Sequence, residues 1–506
     1  MSFPWAINTN TRTFRKRDKT RLASWHARRN PLRLFVFLAL SGATSVLKMP
    51  VTMAEPPRTE LPQAATQLVT SGSVDPLKVI GNAMTVTQNS QKAILNWQRF
   101  NIGRDASVTF KQPDSSSSAL NRIHQGSPSE IFGKLSANGQ IYLLNQNGII
   151  FGKGAVVDTH TLVASTLNIS DQVFNDGYLN AINQGNAAFD SGNAAATGFI
   201  RVDAGAVLRT NDAGDRIMIF APQIENHGEI STPGGQAILA ASTNKVYLAD
   251  STDPNLRGLL VEVDTGGTVT NGNLGKIVAE RGNVSLIGYA VNQNGIVRAT
   301  TSVNLNGSIR LVARDKAVVT VTNGVGMAQA SRTGRLTLGE NSLTEVAPDD
   351  LAATAADAQA QPVSQIELMG KEVTLKSGAR IVAPAGNVVI AATKRPEQPG
   401  PASDNPQNDS QFVMESGSSI DISGLRSAVL PMERNVLAVG LFGSQLADSP
   451  LQRNGSLYRQ TVYVDIRQNG TRADGGLWQG TPLANVKADI EGIKRPLAER
   501  LSTGGK

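Results

Sequence analysis

The side chains that could do chemistry are few, and their spacing does not suit it. Four histidines occur, His26, His124, His160 and His227, and none stands in a His-x-x-x-His or Glu-flanked pattern, so no zinc site is set up. Gly275-Lys276 would be the heart of a phosphate loop, but Thr270 occupies the place of the leading glycine and Ile277 that of the magnesium-binding hydroxyl. Gly417-Ser418-Ser419-Ile420-Asp421 lacks the second glycine of a nucleophile elbow and reads better as an alternating strand. Asp250 and Asp253 flank Ser-Thr, and Asp349 and Asp350 are adjacent. Such acids could hold calcium on a polysaccharide lyase, yet without basic partners placed by the fold they read as turn acids and an insertion loop. The expectation is a chain that is not an enzyme and uses no cofactor and no metal.

The elements that would position any site are short strands. The chain has 5% aromatic residues and no sustained 3.6-residue periodicity, which excludes a helical bundle. A unit of glycine, a polar residue, a small or β-branched residue, any residue, then Leu or Ile recurs. It appears as Gly139–Leu143, Gly235–Leu239, Gly282–Leu286, Gly307–Leu311 and Gly386–Ile390. Each reads as a brief strand entered by a glycine corner. The offset from Gly282 to Gly307 falls among the periods that mark a solenoid. Eight Asn-Gly dipeptides, starting at Asn138, Asn147, Asn271, Asn294, Asn306, Asn323, Asn454 and Asn469, would supply corners tolerant of positive φ. Asn-Gly is also the strongest hairpin signal, so an antiparallel sandwich stays open as the alternative. The favoured fold is all-β, a right-handed parallel β-helix from about residue 80 onward. At roughly 20–25 residues and ~4.8 Å per coil, the body would form a rod of about 80–100 Å.

Charge is concentrated at one end. Lys and Arg number 48 against 41 Asp and Glu, a net +7, but residues 1–54 hold ten of the basic groups and a single acid, Asp18. The remainder is close to neutral, so nothing marks a nucleic-acid partner. The basic segment leads into Leu34–Leu40 and a softer apolar run to Leu47, a stretch of about 14 residues that suits a signal peptide better than a membrane span. Residues 1–54 are thus expected to be an extended signal peptide delivered to the Sec machinery, with Ala54 at the −1 position of a small-residue cleavage site; a retained membrane anchor is the alternative. Cysteine is absent, so stability must come from a repetitive core and backbone pairing.

Several motifs then fall in a specific order: Trp97-Gln98-Arg99-Phe100-Asn101-Ile102-Gly103, Val108–Pro113, Leu120-Asn121-Arg122-Ile123, Ile131–Leu143 and Asn145-Gln146-Asn147-Gly148-Ile149, with Ala164-Ser165-Thr166 closing the run. This order resembles the front of filamentous haemagglutinin-type exoproteins, the exported members of two-partner secretion, closely over about 80–170 and more loosely to about 320. The family's Asn-Pro-Asn-Gly-Ile motif has Gln146 in place of proline, which keeps the Asn-Gly turn but removes the fixed φ. The same five letters recur at Asn292–Ile296, where they read as an ordinary coil corner. The segment Asp448–Gly455 with Thr461–Asp465 is similar to downstream parts of long haemagglutinin-like exoproteins.

The resemblance implies a parallel β-helix recognised in the periplasm by an outer-membrane β-barrel transporter carrying POTRA domains. It implies an adhesin-like product, secreted or held on the surface of a Gram-negative bacterium, that meets a host-cell or bacterial surface receptor. Asn145, Gln146, Asn147, Gly148 and Ile149 are the expected secretion recognition motif. A toxin-delivery rod and a secreted β-helix polysaccharide lyase are the alternative functions. The expected layout is a polar lead-in at 55–79, a secretion domain at 80–320 and a continuing β-helical region at 321–506 with insertions near 345–365 and 394–411. The ending Thr503-Gly504-Gly505-Lys506 reads as the approach to another coil, so a longer protein is expected. Cleavage at Ala54 should yield exported protein beginning Glu55-Pro56 on N-terminal sequencing; a start upstream of Arg33 would count against it.

Overall fold

A computed structural model describes residues 55–506 except 211–213, 252, 254–255, 257, 350–353, 357, 397–408, 426–431, 448 and 450. The expected signal segment and Ala54 lie outside the described residues, as does much of the 394–411 insertion.

Three sheets, of 12, 9 and 12 strands, are built by a chain that visits each in turn and then stacks on itself. One coil shows the course: Gln140–Leu144 in the first sheet, Ile149–Phe151 in the second, Val156–Asp158 in the third, then Thr161–Ser165 back in the first. Within each sheet neighbouring coils pair in parallel, as in Gln140↔Thr161, Ile149↔Ile200 and Val156↔Val207. This is the expected right-handed parallel β-helix. All five glycine-led units open strands of the first sheet, and four of them stack in one continuous register, Gln236↔Asn283↔Ser308↔Gln365↔Asn387.

Inside the coils the side chains form one continuous core, from Trp97, Phe100 and Phe110 to Leu375 and Ile381. Some of the polar groups that enter it pair from coil to coil. Asn226 Nδ2 donates to Asn271 Oδ1 at 2.8 Å, and Asn271 Nδ2 donates to Gln293 Oε1 at 2.7 Å, a ladder of fully buried amides one coil apart. Trp97 Nε1 likewise donates to Asn121 Oδ1 at 2.9 Å.

The first sheet is buried on both faces. In Arg216–Ala221, Ile217 and Ile219 point into the coil, while Met218 and Phe220 join a second core outside it. Two excursions from the coils cover that outer face, and a third packs over them. The first carries helices Asp171–Asp176 and Tyr178–Asn183, the second the antiparallel strands Lys245–Asp250 and Leu259–Val263, and the third the hairpin Val318–Thr322/Val325–Gln329. None of them was legible as an insertion, because each supplies apolar residues like those of a coil. They also consume chain without adding height. The stack holds about nine or ten coils, roughly 45 Å at ~4.8 Å each, in place of the 80–100 Å expected.

Other boundaries differ from the sequence reading. The lead-in at 55–79 contains Gln63–Ser71, which pairs antiparallel with Lys92–Arg99 and closes the first coil, and Lys78–Ile80, which pairs antiparallel with Ala83–Thr87. Residues 345–348 belong to the strand Leu343–Pro348, so the insertion expected from 345 begins after it. The coils expected to run to 506 end with Ser419–Asp421. Beyond them Val436–Gly440 pairs antiparallel with Thr461–Asp465 around a small separate core that includes Val439, Leu441, Val464 and Ile490. Lys506 then returns to the last coil, donating from its N–H to Gly386 O at 3.0 Å and accepting from Val388 N–H at 2.8 Å.

The corner glycines have a different cause from the one expected. Only some Asn-Gly pairs use positive φ. Asn323 (φ 53°) and Gly324 (φ 77°) form the two-residue turn of the hairpin, where the dipeptide's hairpin signal does apply. At Gly282 φ is not positive; a Cβ there would stand 2.0 Å from Gly235 O of the coil below.

On the outer face of the first sheet, Arg310 Nε donates to Glu367 Oε2 at 2.6 Å, and Arg314 pairs with Glu262. Burial pushes the Glu367 carboxyl up, but Arg310 and Arg314 outweigh it and leave its pKa below 4.5. That stabilisation is therefore complete above the ordinary value and lost as pH falls through the lowered one. Glu367→Gln should lower the urea midpoint at neutral pH and flatten the fall of the midpoint as pH drops below the ordinary glutamate value. Asn271→Leu strands Asn226 Nδ2 and Gln293 Oε1 and should cost about 1–3 kcal/mol for each group left unsatisfied, read as a fall in melting temperature.

Candidate functional site

The motif Asn145–Ile149 forms the corner between the first and second sheets, joining Gln140–Leu144 to Ile149–Phe151. The coil period places alternate residues of the strand inward, and Asn145 extends that pattern into the corner as a buried polar group. Its side chain donates to Ser127 O at 3.1 Å and Ser129 Oγ at 3.0 Å, both in the coil below. Its N–H donates to Ser165 O of the coil above at 3.0 Å. One asparagine therefore ties three coils together.

The turn closes on the same residue. Asn147 N–H donates to Asn145 Oδ1 at 2.9 Å, an Asx turn, and Gly148 N–H donates to Asn145 O at 3.0 Å. Gly148 has φ 121°, and a Cβ there would meet Phe199 O at 2.6 Å, so positive φ and close approach both require glycine. Ile149 is fully buried in the inner core. Gln146 and Asn147 are the exposed pair, and Asn147 Nδ2 holds Gln125 O at 2.8 Å.

The five residues thus divide into a buried frame, Asn145, Gly148 and Ile149, and an exposed tip, Gln146 and Asn147. Beside the tip lies a polar cleft of about 560 Å³, with Arg122, His124 and Gln125 on one wall and Asn168 and Asp171 on the other. Arg122 spans it, pairing with Asp171 and donating to Ile169 O at 2.7 Å. Ser170 caps the helix Asp171–Asp176 by accepting from Val173 N–H at 3.1 Å, which fixes the far wall. Below Ile150, Glu130 is raised above the ordinary carboxylate pKa by burial and by Glu60.

The second copy of the five letters sits in the opposite phase. Asn292–Ile296 joins the second sheet to the third, its Gln293 is buried in the amide ladder, and its Ile296 is 38% exposed. Sequence reasoning missed the side-chain partners that hold the first copy, Ser127 and Ser129, because they come from another coil and carry no local signal. Asp250 ends the strand Lys245–Asp250, and among the described residues no group of three or more His, Cys, Asp or Glu side chains is placed to hold a metal ion. The lyase alternative gains no site from this arrangement.

The coiled β-framework that carries this corner has a counterpart among solved structures. The secretion domain of HMW1 from Haemophilus influenzae has this fold, with a TM-score of 0.50 and 23% identity over 71% of this chain and 83% of that one. Residues 62–261 match the family described as the TPS secretion domain, so this part of the chain is a two-partner secretion domain. A heme/hemopexin-binding protein of Haemophilus influenzae is 33% identical over 194 residues, which are 38% of this chain and 20% of that protein. A second protein of the same name from that species is 41% identical over 98 residues, 19% of this chain and 11% of its own length. The shared stretch is thus about a fifth or less of these relatives.

Asn145→Ala should lower stability by about 1–3 kcal/mol, because it removes the side-chain bonds to Ser127 O and Ser129 Oγ in the coil below and the acceptor of the Asn147 N–H. Gln146→Pro, at an exposed position, should leave the melting temperature within a degree or so of the parent or raise it slightly.

Proposed function

We propose that this chain is an exported, adhesin-like exoprotein whose β-helix is recognised by a partner outer-membrane transporter through the Asn145–Ile149 corner. The observation that carries the reading is the coincidence of the secretion-domain match at 62–261 with a turn whose tip is exposed while its frame is tied into three coils. On this reading Gln146 and Asn147, with the cleft beside them, are the surface read by the transporter's periplasmic POTRA domains. Asn145, Gly148 and Ile149 hold that surface in place. Residues 1–54 deliver the chain to the Sec machinery, Ala54 marks the cleavage site, and the product reaches the medium or the cell surface of a Gram-negative bacterium by way of the periplasm. There it engages a host-cell or bacterial surface receptor. The ligand named for the curated relatives is not carried over, since the chain spans so little of their length.

The frame and the tip separate in experiment. Asn147→Ala should abolish binding to the transporter's periplasmic domains and export from cells, with an unchanged melting curve and a signal segment that is still removed. Gly148→Val should lose binding and stability together. Normal binding by a folded Asn147→Ala protein would remove the recognition role.

A further inference from the structure

A cavity of about 380 Å³ lies against the hairpin Val318–Thr322/Val325–Gln329 and shares no lining residue with the cleft beside Asn145–Ile149. Its volume falls within the range of small-ligand sites.

Strand alternation builds its floor. In Lys245–Asp250 and Leu259–Val263, Val246, Leu248, Val261 and Val263 join the outer core, so Tyr247, Ala249, Leu260 and Glu262 turn the other way and line the cavity. Ile182 of the helix Tyr178–Asn183 and Ala328 of the hairpin add to this apolar lining. Val325 and Met327 also line it and are exposed, which offers an apolar entrance from solvent.

One polar group in the lining is incomplete. Arg310 reaches the cavity from the first sheet and is only 5% exposed. Its Nε donates to Glu367 Oε2 at 2.6 Å, but its Nη1 is buried with no hydrogen-bond partner among the described residues. A guanidinium can only donate, so what this spot lacks is an acceptor.

Charge decides the kind of acceptor. Arg310 is matched by Glu367 and Arg314 by Glu262, and Asp250, exposed at the end of its strand, adds a further carboxylate to the lining. An anion would bring an unmatched negative charge into a site whose arginines are already neutralised, whereas a neutral carbonyl oxygen would not.

We propose that this cavity binds a small neutral carbonyl compound, an ester or ketone with an alkyl tail. Its carbonyl oxygen accepts from Arg310 Nη1, and its tail lies along Tyr247, Ala249, Leu260 and Ala328. The proposal goes beyond the secretion reading and does not depend on it, because it is tested on purified protein without the transporter.

The test is calorimetric titration of the full chain with methyl heptanoate and with octanoate, which have the same carbon and oxygen content and differ in charge. The ester should bind at least about tenfold more tightly than the anion and raise the melting temperature. Arg310→Met/Glu367→Met replaces the buried pair by apolar side chains, which keeps the fold, and should weaken ester binding about tenfold by removing the donor. Ala249→Leu, and separately Ala328→Leu, should weaken it by about tenfold or more by filling the cavity while leaving Arg310 in place. Octanoate binding as tightly as the ester, neither heat nor a rise in melting temperature with the ester, or undiminished ester binding by any of these variants in folded form would overturn the proposal.

Discussion

The rest of this structure depends on one constraint: each coil lies directly on the one before it at the spacing of a hydrogen-bonded strand pair. Backbone bonds run from coil to coil through all three sheets, so the position of every inward side chain is repeated by its neighbours above and below. At the corner entering the first sheet the backbones come so close that side chains are excluded, as where Gly282 stands over Gly235. The same repeat lets inward amides find one another, which is how Asn226, Asn271 and Gln293 are paired in the interior.

Register along the stack is reinforced from outside. On the third sheet Asp158 faces Arg209, Glu229 faces Lys276, and Arg298 faces Glu345, each pair joining neighbouring strands. Single exposed pairs contribute little. Their effect is on alternatives, since a strand slipped by one residue would turn these charges inward and apolar residues outward. The first sheet works differently. Its outer face is covered by helices and antiparallel strands, so its ion pairs, Arg310–Glu367 and Arg314–Glu262, are buried and each charge relies on its partner.

The Asn145–Ile149 corner draws on both features. Asn145 is held by Ser127 and Ser129 below and by Ser165 above, so the turn acquires its shape only when three successive coils are in place. The cleft beside it is completed by the helix Asp171–Asp176, anchored to an early coil where Lys92 Nζ donates to Phe174 O at 3.0 Å and Asn175 O at 2.7 Å. A partner reading the tip at Gln146 and Asn147 would be reading the folding of this whole neighbourhood, under the reading proposed above.

The amino-acid sequence by itself determined the solenoid, its first-sheet strands and the Asn-Gly turn at 147–148, because glycine corners, alternating apolar residues and Asn-Gly pairs are local patterns. The five glycine-led units all entered the same sheet for that reason. Only the tertiary structure decided which of two identical pentapeptides faces its tip outward: Asn145 points inward in one and Gln293 in the other, according to which corner of the coil each occupies. It also decided where coils give way to excursions, since Phe189, Val246 and Val261 look like coil residues until the outer core shows what they cover. Local periodicity records that a residue is buried; which side of a sheet buries it depends on chain that arrives from far away in the sequence.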